Sequence, residues 1–110
     1  MPVEALVMIT RIIDVGHRLE ALLGRPAHPG LALLEAHLAG HKGATVQDIA
    51  ARSKCSEDTS RRRLEELVEA RRARHSIYEG RHCYSICPRT AAAVLRTLTE
   101  HGSKLHIPKD

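Results

Sequence analysis

The stretch Thr45–Val68, TVQDIAARSKCSEDTSRRRLEELV, decides how this chain reads. Thr45 is a helix-capping residue, and Asp48 three positions on completes a capping-box pair. The step Ile49-Ala50 supplies the inward positions of a short helix. Ser53, Lys54 and Cys55 form a tight turn, and Ser56 caps a further helix running to about Arg71. On a helical wheel Ser60, Leu64 and Leu67 face inward with Val68 at the margin. Asp58, Arg61, Arg62, Glu65 and Glu69 face away. The stretch is therefore a helix, a turn and a second helix carrying three consecutive arginines.

Before it, residues 3–23 form one long helical pattern. Leu6, Ile9, Ile12, Ile13, Leu19, Leu22 and Leu23 are among its apolar positions, and they cover more than one narrow stripe. A helix this apolar buries two faces, one on its own domain and one on a partner. Gly24, Pro26, Pro29 and Gly30 break the chain. A short helix from about Gly30 to Ala39 then presents Leu31, Leu34 and Leu38 on one side, and Gly40 and Gly43 end it.

After it comes a β-hairpin, Ala73–Tyr78 and Arg81–Ile86, turning at Glu79-Gly80. A two-residue loop pairs Ile77 with His82, His75 with Tyr84, and Ala73 with Ile86. Ala73, Ile77, Tyr84 and Ile86 then share one face, with Arg74, Ser76, Arg81, Cys83 and Ser85 on the other. A one-residue slip would mix these sets. Pro88 suits the first turn of a last helix to about His101, with Ala92, Val94, Leu95 and Leu98 as its apolar positions.

Charge agrees with this layout. The chain of 110 residues carries a net +4. Residues 1–44 are balanced, so the excess lies wholly in the C-terminal two thirds, where a polyanion would be met. Tyr78 and Tyr84 are the only aromatics among Phe, Trp and Tyr. That scarcity argues against single-strand or RNA recognition by base stacking. Three cysteines, Cys55, Cys83 and Cys87, with no signal peptide read as reduced thiols in a cytoplasm. No apolar run approaches the roughly 18 residues of a membrane span, and neither a phosphate loop nor a GxSxG is present, so an enzyme is not expected.

Helix, helix, helix-turn-helix, two-stranded wing, helix is the winged-helix order. Ile49-Ala50, the turn at Ser53-Lys54-Cys55, the Ser56 cap, Thr59 through Arg63, and CYSICPRTAAAVLRTL after the wing resemble the MarR-type bacterial transcriptional regulators in a compact form. The resemblance covers roughly residues 30–100. It departs at Lys54, where a Gly is common, and at Ser60 and Arg63, where the family packs apolar residues.

The expected fold is mainly α with a small β-hairpin wing, a winged helix-turn-helix with an N-terminal dimerisation helix. It divides into residues 1–24 for dimerisation, 25–102 for DNA binding, and a flexible tail at 103–110. In that arrangement Lys54, Ser56, Thr59, Arg61, Arg62 and Arg63 meet the major groove, and Arg74 and Arg81 carry the wing onto the backbone or adjacent minor groove. Leu6, Ile9, Ile13 and Leu98 would form a homodimer interface. The expected partner is double-stranded DNA at a pseudo-palindromic site, the expected role a regulator, most simply a repressor. No membrane, cofactor or metal is expected. A small-molecule or redox effector stays open, with Cys83 on the outer wing face as the candidate thiol. His82, Cys83 and Cys87 are too spread along an extended strand to share one ion.

Two alternatives accompany this reading. Glu57–Arg61 and Asp58–Arg62 are (i, i+4) pairs in the favourable order, which would make the arginines part of a solvated lattice. The acidic ring of Glu57, Asp58, Glu65, Glu66 and Glu69 would suit a winged-helix protein-interaction module.

Overall fold

Residues 15–105 are described by the structure, a computed structural model, with side chains described to residue 100. Helix α1 occupies residues 15–23. It is followed by α2 (His28–Leu38), α3 (Val46–Ser53), α4 (Glu57–Glu69), strands β1 (Ala73–Tyr78) and β2 (Arg81–Ile86), and α5 (Pro88–Leu105). Leu6, Ile9 and Ile13 lie outside the described residues.

Local chemistry accounts for the helix-turn-helix. Thr45 and Asp48 form a reciprocal capping box, each side chain accepting from the other's backbone N–H at 3.2 Å. Lys54 takes the left-handed conformation at the end of α3 (φ 57°), the position that a Gly fills without a Cβ penalty. Ser56 Oγ accepts from the Thr59 amide at 3.1 Å and opens α4. Helix α4 ends in a Schellman motif, with Arg71 left-handed and the Arg72 amide donating to Leu67 O at 2.8 Å.

The core gathers one face of each element. Leu19 and Leu23 of α1, Leu33 and Leu34 of α2, Val46 and Ile49 of α3, and Leu64 and Leu67 of α4 are buried together. Ala73, Tyr84 and Ile86 of the sheet and Val94 of α5 close the cluster. Helix α1 is thus part of the core of the winged-helix body.

The hairpin has the expected register, Ala73↔Ile86, His75↔Tyr84 and Ile77↔His82. Glu79 (φ 50°) and Gly80 (φ 76°) are both left-handed, the two-residue turn geometry that matches strand twist. Ala44 adds an isolated antiparallel bridge to Tyr84, with amide–carbonyl bonds of 2.8 Å in both directions. This bridge joins the entry of α3 to the wing.

Five expectations are corrected. Ile77 shares a strand face with Tyr84 but is exposed, because the wing projects past the body it would pack on. Helix α2 starts at His28, because Pro29 at its first turn lacks only an N–H that has no intrahelical acceptor. Its buried residues include Ala32, Leu33, Leu34 and Ala36, and Leu38 is exposed. In α5 Ala91 and Val94 are buried, whereas Ala92 is exposed and Leu95 and Leu98 remain partly exposed. That helix also continues past Gly102 to Leu105, into the segment expected as tail.

Candidate nucleic-acid interface

The N-terminal half of α4 is an exposed arc. Ser56 Oγ donates to Thr59 Oγ1 at 2.9 Å while accepting from the Thr59 amide, so the cap and Thr59 form one rigid unit. Arg61 reaches Asp58 at 3.5 Å. This is an (i, i+3) contact, not either of the expected (i, i+4) pairs. An exposed pair of this kind contributes only about 0.2–0.5 kcal/mol. So weak a pair leaves the Arg61 guanidinium available to another acceptor at little cost. Arg62 is exposed and enters none of the ion pairs found among the described residues.

Arg63 behaves differently from its two neighbours. It is half-buried, and its guanidinium is held by Glu66 and by the backbone carbonyl of Arg25. This takes it off the exposed arc expected for it. The wheel position explains the difference, since Arg63 lies beside inward-facing Ser60 and Leu67.

Arg61 and Arg81 come together across an open groove of about 710 Å³. Its walls are the start of α3 (Thr45, Gln47, Asp48), the outer face of α4 (Arg61, Glu65) and the wing tip (Gly80, Arg81, His82). Arg74 is exposed on the same strand face as Arg81 but does not line the groove. Lys54 is exposed in the turn. Gln47 and His82 are groove residues that the sequence reading did not single out. The exposed arc of α3, left once Val46, Ile49 and Ala50 are placed inside, was the available signal for Gln47.

The inner wing face carries a histidine pair. His75 Nε2 and His82 Nδ1 are 2.7 Å apart with the rings stacked, and Tyr84 sits beside His75. One nitrogen must donate and the other accept. Cys55, Cys83 and Cys87 are free thiols of intermediate burial. Cys83 is not fully on an outer surface, because Gly43 packs close to its Cβ. Among the described residues no group of three or more His, Cys, Asp or Glu is placed to hold a metal ion. Nor is any helix there long and apolar enough to cross a membrane.

Comparison with solved structures identifies the architecture. MepR, a transcription regulator of the Staphylococcus aureus multidrug efflux pump MepA, superposes with a TM-score of 0.69 at 14% identity, over 91% of this chain and 74% of that one. A MarR family transcriptional regulator from Silicibacter pomeroyi gives a TM-score of 0.63 at 18% identity, over 98% of this chain and 77% of that one. The fold is the MarR-like winged helix. A MepR variant bound to an oligodeoxyribonucleotide has the same arrangement, with a TM-score of 0.71 at 16% identity over 92% of this chain and 77% of that one. No family model matches the sequence, and no curated protein matches it.

Proposed function

We propose that this chain is a sequence-specific, double-stranded-DNA-binding transcriptional regulator that acts as a homodimer. The observation that carries the proposal is the open groove that Arg61 of α4 and Arg81 of the wing both line. Arg62 and Thr59 extend this surface along α4, and the Ser56 end of the helix offers amides and a positive dipole end to a phosphate. Arg61 and Arg62 read base edges. Arg81, Arg74 and Lys54 hold the backbone and position the helix. The MepR complexes with DNA support this reading by sharing the fold.

A two-fold dimer would set two copies of α4 about 34 Å apart, one helical turn of DNA, on a pseudo-palindromic site. Leu95 and Leu98, exposed on α5, support a dimer face there, to which the apolar N-terminal residues Leu6, Ile9 and Ile13 would add. Repression is the simplest outcome of occupying such a site.

Selection of bound fragments from a random duplex library tests the proposal. The expected result is enrichment of a site with two related half-sites one turn apart. Absence of any enriched sequence would refute specific recognition. Light scattering at micromolar concentration should give the mass of a dimer, and a monomer would refute the dimer.

The acidic ring of α4 favours one other reading, a protein-interaction module. Glu57, Asp58, Glu65, Glu66 and Glu69 are all exposed. A module of that kind would show no affinity for duplex DNA that depends steeply on salt.

A further inference from the structure

Two arginines bind recognition helix α4 to the end of α1, and neither has a role in the groove. Helix α1 finishes with carbonyls that have no partner within the helix. Arg72 Nη1 donates to two of them, Ala21 O at 3.0 Å and Leu22 O at 2.9 Å. Arg63 donates to Arg25 O just beyond. A cation is favoured at this end of a helix by the backbone dipole. Arg63 sits mid-helix and Arg72 in the Schellman turn that closes α4, so one attachment lies at the middle of the helix and the other just beyond its C-terminal end.

The seat for Arg63 is built from the other side as well. Gly24 has φ +84°, and a Cβ there would lie 2.7 Å from Arg63 Nη1 and 2.8 Å from Arg63 Cδ. Gly24 is therefore required both by the backbone and by the side chain lying across it. Two attachment points, one on the rod and one on the turn hydrogen-bonded to its end, restrain its roll as well as its tilt. Arg61 and Arg62 project from that rod two and one residues before Arg63.

We infer that Arg63 and Arg72 are positioning residues for DNA reading: anchored on the C-terminal end of α1, they set the angle at which α4 presents Arg61 and Arg62. This rests on the proposed DNA-binding function. Neither arginine meets DNA, and α1 controls the reading head through them.

The test uses the full chain with Arg63→Met, Arg63→Lys, Arg72→Met and Gly24→Ala, beside Arg81→Ala. Affinity for the selected site and for random duplex is measured across a salt series. Each positioning variant should lose about tenfold on the selected site, the size expected for one charge-assisted hydrogen bond. Random-duplex affinity and the salt slope should be unchanged. Arg63→Lys should not rescue, because it keeps the charge and loses the fork. Arg81→Ala, which removes a backbone contact, should flatten the slope by about 0.9, the value of one phosphate neutralised. If Arg63→Met flattens the slope, Arg63 contacts phosphate and the inference is overturned. It is equally overturned if Gly24→Ala leaves selected-site affinity intact.

Hydrogen exchange without DNA separates this inference from the function it rests on. Arg63→Met and Arg72→Met should speed exchange at the amides of α1 and α4 near their junction. Unchanged exchange there refutes the attachment. Wild-type protein with no salt-dependent duplex affinity refutes the DNA reading instead. Variants are compared at a temperature where circular dichroism matches the wild type, so unfolding is not mistaken for mispositioning.

Discussion

Ser60→Ala should stabilise this protein. Ser60 is fully buried on the inner face of α4, and its Oγ has no hydrogen-bond partner among the described residues. A buried hydroxyl without a partner costs about 1–3 kcal/mol in lost hydration. Removing it recovers that cost. Alanine adds a few tenths of a kcal/mol through its higher helix propensity. Against this stands the space left by one oxygen, smaller than the methyl-sized cavity that costs about 1 kcal/mol. The net expectation is about 1 kcal/mol of added stability. In a small domain this raises Tm by about 4–8 °C. Thermal and urea unfolding followed by circular dichroism measure it, with the m-value unchanged. DNA affinity should also be unchanged, because Ser60 faces away from the groove. A loss of stability would refute the reasoning, since it would mean that the hydroxyl makes a bond of real worth.

Three further outcomes are expected. Thr45→Ala removes the hydroxyl that accepts from the Asp48 amide, one half of the capping box, and should cost about 1 kcal/mol, read by urea unfolding. Lys54→Gly relieves a left-handed residue and should stabilise by about 1 kcal/mol, while weakening DNA binding through the lost charge in a salt titration. Arg62→Ala should cost about 1–3 kcal/mol on the selected site, whereas Arg81→Ala should weaken binding to all sequences alike, both read by titration of matched and scrambled duplexes.

Legibility in the sequence followed the strength of each local signal. The hairpin register was readable because Ala73, Tyr84 and Ile86 alternate against Arg74, Arg81, Cys83 and Ser85, and a slip destroys that alternation. The exposure of Ile77 was not readable, because alternation reports which face a residue is on and not how far the body extends beneath it. The α2 face failed for a related reason. Gly30 through Leu34 are apolar at every position, so periodicity selects no side. The Ala44 bridge leaves no pattern at all, being one residue long.

The site divides in the same way. Caps and exposed arginines were legible because Thr45, Ser56, Arg61 and Arg62 express their roles within a few residues. Arg63 looks like its neighbours in sequence, yet one further step around the helix turns it toward the loop after Gly24. Its partner Arg25 is a long-range neighbour that no local rule supplies. Gln47 and His82 were missed because a groove is formed by three elements, and each contributes only a few residues to it.

The central claim is that the groove between α4 and the wing grips duplex DNA. Fluorescence anisotropy of a labelled duplex across a salt series tests it most directly, using wild type, Arg61→Ala and Arg81→Ala. The account predicts a steep linear fall of log affinity with log salt for the wild type, with a slope shallower by about 0.9 in the Arg81→Ala protein. The Arg61→Ala protein should show a loss that is larger on the selected site than on random duplex. A wild-type slope near zero, or affinities that neither substitution changes, would contradict it.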